Sequence, residues 1–140
     1  PYLVPSSYGF HHGVDINLPR GTAIVAARGG TITRLNNTCE PDEQTTANCP
    51  GCGNWVEIDD GKTIYQYCHL KQVAEGLAVG QKVRTGQDLG ISGNTGLSGN
   101  VPHLHFTVVD LTGVAPVSQK FWSNAYPYLD AWCSKKTCAE

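Results

Sequence analysis

The stretch that most limits the possible folds of this chain is NWVEIDDGKTIYQYCHL, residues 54–70. Apolar and polar side chains alternate on both sides of Asp60-Gly61, a dipeptide that is typical of tight hairpin turns. Such alternation indicates strands with one buried face, because successive side chains of a strand point to opposite faces. The stretch therefore predicts a β-hairpin with Asp60-Gly61 as its two-residue turn.

The rest of the chain also favours short strands over long helices. Residues 21–35 predict two strands separated by Arg28-Gly29-Gly30, and 73–100 predict short strands between glycine turns. We expect an irregular lead-in over 1–10 and one short helix near 118–124. The pattern predicts an all-β fold in a single domain spanning 1–140, built on a small antiparallel β-sheet.

Composition excludes several classes of protein. A chain of 140 residues with 40% hydrophobic and 16% charged residues fits one folded domain with its own core. The net charge of -2 offers no basic surface for nucleic acid, so we expect no nucleic-acid partner. No apolar run approaches the ~20 residues of a membrane-spanning helix. Because no signal peptide is visible, we expect a mature or excised domain.

The six cysteines predict three disulfides and an oxidising compartment. Proximity along the chain favours Cys133–Cys138, and Cys39–Cys49 would close the polar loop over 36–53. This leaves Cys52–Cys68 on the two strands of the hairpin.

The predicted hairpin turn does not by itself place Cys52 opposite Cys68. A two-residue turn at Asp60-Gly61 sets Gly53 across from Cys68, so a β-bulge or a longer turn must supply a shift of one residue. The CPGC motif at 49–52 could instead be a redox motif or half of a zinc site, but no second CxxC and no βαβ pattern accompany it. Disulfides are therefore the favoured interpretation.

Two histidines interrupt an otherwise apolar strand pattern in VPHLHFTVVD, residues 101–110. In a strand, Leu104, Phe106 and Val108 would share one face. His103, His105 and Thr107 would share the other. One face suits packing and the other suits chemistry.

The remaining histidines lie in two further clusters. In HHGVDI, Gly13 permits a bend that lets His11 and Asp15 converge, while His69 ends a strand of the hairpin. His12 is expected to be a surface or structural residue. Any histidine alone has an ordinary structural explanation, but three clusters together with Asp15 favour a metal site. Two imidazoles and a carboxylate suit Zn²⁺ with a fourth position for water, and the other histidines could then act as acid or base.

The arrangement of these motifs resembles the lysostaphin-type, or LytM-type, zinc endopeptidases, which include the β-lytic enzymes. That family carries H-x-G-x-D, a lone histidine after a tyrosine-rich strand, and H-x-H behind a glycine-rich loop. Here the motifs stand as HHGVD (11–15), YQYCHL (65–70) and SGNTGLSGNVPHLHF (92–106). The resemblance covers residues 9–109, and the tail over 110–140 is a C-terminal extension.

The resemblance implies a role for each of five residues. His11, Asp15 and His105 would be the zinc ligands, and His69 and His103 would be a catalytic pair beside the attacking water. It also implies a disulfide-stapled sheet whose groove is walled by loops, one of them the glycine-rich segment.

The implied activity is hydrolysis of peptide bonds in peptidoglycan stem or cross-bridge peptides, Gly-Gly bonds among them, or in glycine-rich proteins. We expect a monomeric protein that is extracellular or periplasmic. Two alternatives stay open: a peptidoglycan amidase, and an inactive cell-wall-binding or regulatory domain. Three features depart from the family pattern: the cysteine-rich insertion, the long tail, and the spacing of Tyr8, which is the nearest candidate for an oxyanion residue.

Overall fold

The computed structural model describes residues 3–6 and 9–111, with side chains described for 13–109 and Leu111. Over these residues every regular element is a β-strand, and none forms a helix long and apolar enough to span a membrane. The strands are β1 (Leu3–Ser6), β2 (Gly9–His12), β3 (Val14–Asn17), β4 (Ala23–Val25), β5 (Gly30–Asn36), β6 (Asn54–Asp59), β7 (Thr63–Val73), β8 (Lys82–Val83), β9 (Asp88–Ser92) and β10 (His103–Asp110). The all-β prediction is confirmed.

Eight of these strands form one antiparallel sheet. Its main order is β3-β10-β7-β6-β5-β8, while β9 pairs with β7 and also with β4. The long strand β7 is central, because it pairs with β10 on one side and with β6 on the other. The strands β1 and β2 form a separate hairpin. Strand β10 therefore lies between β3 and β7, and it can bring their side chains to one face.

The core lies on the face of β10 that the apolar pattern predicted. Phe106 is 1% exposed and its ring lies 5.1 Å from the Tyr67 ring between centroids. Leu104 and Val108 are buried on the same face, as are Val56 and Ile58 of β6. The Tyr67 hydroxyl accepts a hydrogen bond from the Ala27 backbone N–H at 2.9 Å, so this buried polar group has a partner.

The opposite face of the sheet carries a buried carboxylate. Glu57 is 4% exposed and accepts hydrogen bonds from Thr33, Arg34 and Gln66. Burial alone would raise the pKa of Glu57, but these hydrogen bonds outweigh it and lower the pKa. The Arg34 guanidinium also lies 5.2 Å from the centre of the Trp55 ring. Polar side chains thus satisfy one another across β5, β6 and β7.

Two expectations about local structure are wrong. Residues 3–6 and 9–10 are not an irregular lead-in, because they belong to the paired strands β1 and β2. The turn of the β6–β7 hairpin is centred one residue later than predicted: the Asp60 N–H donates to the Thr63 carbonyl, which leaves Gly61 and Lys62 at the tip. The Asp60 carboxylate accepts from the backbone N–H groups of Lys62 and Thr63, and this holds the turn in the shifted position.

Two of the predicted disulfides are confirmed. Cys39 bonds to Cys49 and Cys52 bonds to Cys68, with Cα–Cα distances of 4.9 and 5.1 Å. The two cysteines of CPGC therefore belong to different disulfides, as the structural interpretation of that motif requires. The predicted Cys133–Cys138 pair, the helix near 118–124 and Tyr8 lie outside the described residues.

Candidate metal centre and catalytic histidines

The pairing of β10 with β3 brings predicted site residues together. His105 lies opposite Asp15 and His103 lies opposite Asn17. Side chains of directly paired residues project from the same face of a sheet. The spacing of two between His103 and His105 therefore places both imidazoles on the face that also carries Asp15.

Asp15 and His105 are in direct contact. The Asp15 carboxylate Oδ1 lies 2.8 Å from Nδ1 of His105, and the other ring nitrogen, Nε2, lies 3.0 Å from the Thr107 hydroxyl. If Nδ1 binds a metal, the ring proton must be on Nε2, where the Thr107 oxygen can accept it. Such an outer partner fixes the ring orientation of a metal-binding histidine. The carboxylate oxygen and imidazole nitrogen are donors that suit zinc, so these residues fit that ion.

A backbone carbonyl just before β10 orients the ring of His103. Its Nδ1 lies 2.7 Å from the Val101 carbonyl oxygen, and its Nε2 lies 3.5 Å from Oδ1 of Asp15. Because a carbonyl only accepts, Nδ1 carries the proton in the neutral ring. The Nε2 lone pair of His103 then faces the carboxylate that Asp15 shares with His105.

A β-bulge turns His69 toward the same place. Asn54 pairs with Leu70 and Val56 with Tyr67, so Trp55 alone faces both Cys68 and His69. Strict alternation from Tyr67 would place His69 on the core face. The bulge, with a left-handed φ of 63° at His69, re-aims the side chain.

The redirected His69 ring lies beside the other two imidazoles. Its centroid is 4.8 Å from that of His103 and 6.1 Å from that of His105. Burial lowers the pKa of His69 to about 4, since the Thr95 carbonyl that contacts its Nδ1 only partly offsets the loss of solvation. His69 is therefore a neutral imidazole at neutral pH, with a ring nitrogen able to accept a proton.

His11 lies in the strand that precedes Gly13, and its side chain is outside the description. The backbone of His11 pairs with Val4 in the β1–β2 hairpin. Gly13 has a φ of 121°, and a Cβ there would lie 2.5 Å from the Phe106 carbonyl oxygen and 2.7 Å from the Thr107 hydroxyl. Only glycine allows the chain to pass so close to β10. The bend expected at Gly13 is present, and the role of His11 stays a prediction.

The glycine-rich loop and the cysteine-rich insertion form one wall beside His69. The backbone N–H groups of Gly96 and Leu97 donate to the carbonyl oxygens of Glu43 and Gly51, at 2.8 and 2.7 Å. The side chain of Gln44 also donates to the Asn94 carbonyl oxygen. Cys39, Glu43 and Cys49 converge in the insertion, but the disulfide between the two sulfurs leaves no thiolate for a metal.

The structure thus brings together four of the five predicted residues: Asp15, His69, His103 and His105. Sequence reasoning missed the partners that orient the imidazoles. Thr107 could have been found, because it lies two residues after His105 on the same strand face. The Thr95 carbonyl could not, because a backbone acceptor leaves no mark in the sequence.

Comparison with known proteins supports a common origin. Residues 9–116 match Peptidase family M23. The chain is 36% identical over 101 residues to the peptidoglycan DD-endopeptidase ShyA of Vibrio cholerae, covering 71% of this chain and 20% of ShyA. It is 35% identical over 108 residues to lysostaphin of Staphylococcus simulans, covering 76% and 19%. The chain thus spans about a fifth of the length of these relatives.

Solved structures show the same fold. The catalytic domain of lysostaphin from Staphylococcus simulans superposes with a TM-score of 0.67 at 29% identity, covering 93% of this chain and 86% of that domain. A zinc-containing peptidase from Vibrio cholerae superposes with a TM-score of 0.62 at 25% identity, covering 79% and 32%. Sequence and fold agree, and the chain belongs to Peptidase family M23.

Proposed function

We propose that this chain is a zinc metalloendopeptidase domain that hydrolyses peptide bonds in bacterial peptidoglycan. The observation that carries the proposal is the convergence of Asp15 and His105, whose Oδ1 and Nδ1 atoms lie 2.8 Å apart, beside the rings of His69 and His103. A carboxylate and an imidazole that converge next to two further imidazoles offer metal donors and proton acceptors in one place.

Each residue has a distinct part in the proposed reaction. Asp15 and His105, with His11 as the third ligand, would hold zinc. Bound zinc would supply Lewis-acid chemistry, which lowers the pKa of water and polarises a carbonyl group. His69 and His103 each have Nδ1 directed at a backbone carbonyl, so each keeps Nε2 for the reacting groups. Either ring can accept the proton of the attacking water at Nε2, and the ring that has taken up this proton can then donate it to the leaving nitrogen of the substrate.

The choice of an endopeptidase over an amidase rests on the relatives. ShyA is a peptidoglycan DD-endopeptidase, and a second relative, the glycyl-glycine endopeptidase ALE-1 of Staphylococcus capitis, is 34% identical over 108 residues. Both names describe cleavage of a peptide bond. The candidate substrates are therefore stem or cross-bridge peptides, with Gly-Gly bonds or a glycine-rich protein among them.

The setting in which the enzyme acts follows from the same observations. The two described disulfides favour an oxidising compartment, and the proposed substrate lies outside the cytoplasmic membrane. We therefore propose an extracellular or periplasmic domain. We propose separately that it acts as a monomer.

Digestion of purified peptidoglycan tests the proposal. Zinc-loaded protein is incubated with peptidoglycan that has direct cross-links and, separately, with peptidoglycan that has glycine cross-bridges. The new ends are then identified by mass spectrometry. We expect new amino and carboxyl ends within peptides. Release of intact stem peptides from the sugar would show an amidase, and no products from any substrate would support the binding-domain alternative.

Matched histidine variants connect the activity to the site. His103→Ala should lose roughly 10²-fold or more in turnover while keeping its zinc, because it acts on the reacting groups. His105→Ala should lose both zinc and activity. His12→Ala is the control, since it changes the same residue type next to His11 and should leave turnover near the wild-type value. A loss of activity in His12→Ala would require His12 to replace His11 in the ligand set.

A further inference from the structure

His69 has a conformation that needs outside support. Its φ of 63° lies in the left-handed region, which costs a non-glycine residue conformational energy. It also lies in a bulge, where the regular pairing of β6 with β7 is interrupted. A side chain in such a position keeps one orientation only when its surroundings impose it.

Two hydrogen bonds impose the orientation of His69. Its backbone N–H donates to the Cys52 carbonyl oxygen at 2.8 Å, which holds the main chain. Its ring Nδ1 lies 2.7 Å from the Thr95 carbonyl oxygen, which holds the side chain. A carbonyl oxygen only accepts, so the second bond also selects the tautomer with a proton on Nδ1 and a lone pair on Nε2.

The Thr95 carbonyl is itself fixed by the Thr95 side chain. The Thr95 hydroxyl accepts from the Asn54 backbone N–H at 2.9 Å and donates to the Leu70 carbonyl oxygen at 2.7 Å. Asn54 and Leu70 are the strand pair next to the bulge. Thr95 is 0% exposed, so no water competes for these bonds. The hydroxyl thus ties the glycine-rich loop to the bulge that redirects His69.

We propose that Thr95 is a positioning residue for catalysis, whose buried hydroxyl holds its own carbonyl against Nδ1 of His69 and so sets the orientation and tautomer of that ring. The proposal rests on the proposed function, because it assigns Thr95 a part in the same reaction. It predicts that the hydroxyl, rather than the volume of the side chain, is what catalysis needs.

Three variants separate this role from simple packing. Thr95→Val keeps the shape of the side chain and removes the hydroxyl, whereas Thr95→Ser keeps the hydroxyl. Ser98→Ala is the control, since Ser98 is a buried hydroxyl of the same loop that bonds only to Asn94 among the described contacts. We expect kcat to fall ~10–100-fold in Thr95→Val with KM within about twofold. Thr95→Ser and Ser98→Ala should stay within about threefold of wild type in kcat.

A second measurement does not depend on activity. Long-range ¹H–¹⁵N correlation spectra of the zinc-loaded protein report which nitrogen of His69 carries the proton. We expect a single Nδ1–H tautomer in the wild type, in Thr95→Ser and in Ser98→Ala, and a mixture of tautomers in Thr95→Val. Zinc content should equal that of the wild type in all variants, because the Thr95 hydroxyl is bonded to backbone groups of the hairpin.

The outcomes distinguish this proposal from the proposed function. A Thr95→Val variant with wild-type kcat and an unchanged tautomer would overturn the role of Thr95, as would an Nε2–H tautomer of His69 in the wild type. An equal loss of kcat in Ser98→Ala would also overturn it, because loop integrity alone would then explain the effect. If no form of the protein cleaves peptidoglycan, the proposed function fails, and the spectra still decide whether Thr95 sets the tautomer. If Thr95→Val does not fold, Thr95→Ala replaces it in both measurements with the same expected results.

Discussion

Acidification should destabilise the metal-free protein through His69. Burial lowers the pKa of this histidine from its ordinary 6.5 to about 4 in the folded state. Between these two values the unfolded chain binds more protons than the folded one, so protons favour unfolding. The stabilisation is therefore complete above the unfolded pKa of 6.5 and is lost progressively as the pH falls toward the folded value of about 4.

The magnitude follows from the separation of the two pKa values. Each pKa unit corresponds to about 1.4 kcal/mol, so the free energy of unfolding should decrease by about 2 kcal/mol at pH ~5 and by about 3 kcal/mol at pH ~4, relative to pH ~7.5. A typical domain has only about 5–15 kcal/mol of stability, so one buried imidazole accounts for a large share of the acid sensitivity.

Urea unfolding of the chelator-treated protein and of His69→Gln, with disulfides intact, measures this contribution. Other titrating groups affect both proteins alike, so the difference between their free energies of unfolding isolates His69. Glutamine cannot titrate but can still donate a hydrogen bond to the Thr95 carbonyl. We expect the advantage of the wild type to shrink by the amounts above as the pH falls. A difference that stays constant within about 0.5 kcal/mol from pH ~7.5 to ~4 would refute the reasoning.

Three further predictions follow from packing and covalent links. Phe106→Ala should lower the free energy of unfolding by about 3–5 kcal/mol in urea denaturation, because the ring is buried in the core; a loss below about 1 kcal/mol would contradict its central place. Replacing Cys52 and Cys68 together by alanine should lower the free energy of unfolding by about 2–4 kcal/mol in the same assay. It should also slow peptidoglycan hydrolysis, because the Cys52 carbonyl accepts a hydrogen bond from the His69 N–H. Unchanged turnover would show that the disulfide does not support the site. Gly13→Ala should weaken zinc binding in competition with a chromophoric chelator, because a Cβ would strike the Phe106 carbonyl oxygen; unaltered affinity would argue against that close approach.

Some features could be predicted from the sequence because successive side chains of a strand alternate between its two faces. The strand over residues 103–110 places Phe106 in the core and His103 and His105 on the other face, since alternation alone decides the face. The Cys52–Cys68 disulfide could be predicted because the other cysteines had nearer partners, but its predicted place on two facing strands is wrong. Cys52 lies before β6, and Trp55 faces Cys68 across the bulge.

The remaining features depend on backbone geometry that side-chain patterns do not encode. The lead-in contains Pro5, Ser6 and Gly9, which lower its β propensity, and pairing of residues 3–6 with β2 makes them a strand. The left-handed φ of His69 is uncommon for a non-glycine residue, so the side-chain pattern does not predict the bulge that turns its ring away from the core face. The turn shifted because the Asp60 carboxylate bonds to two backbone N–H groups, an effect that outweighs the preference for aspartate at the tip.

The position of β3 at the margin of the sheet determines how the metal centre could open. Among the described residues β3 pairs with β10 alone, through four residue pairs, and it supplies Asp15. Detaching this strand breaks far fewer bonds than unfolding the whole domain, so its amide protons should exchange with solvent by local opening. An ion held between Asp15 and His105 would have to be released in each opening event. Amide exchange along β3 should therefore slow as the free metal concentration rises, and its dependence on that concentration would measure the affinity of the site without any substrate.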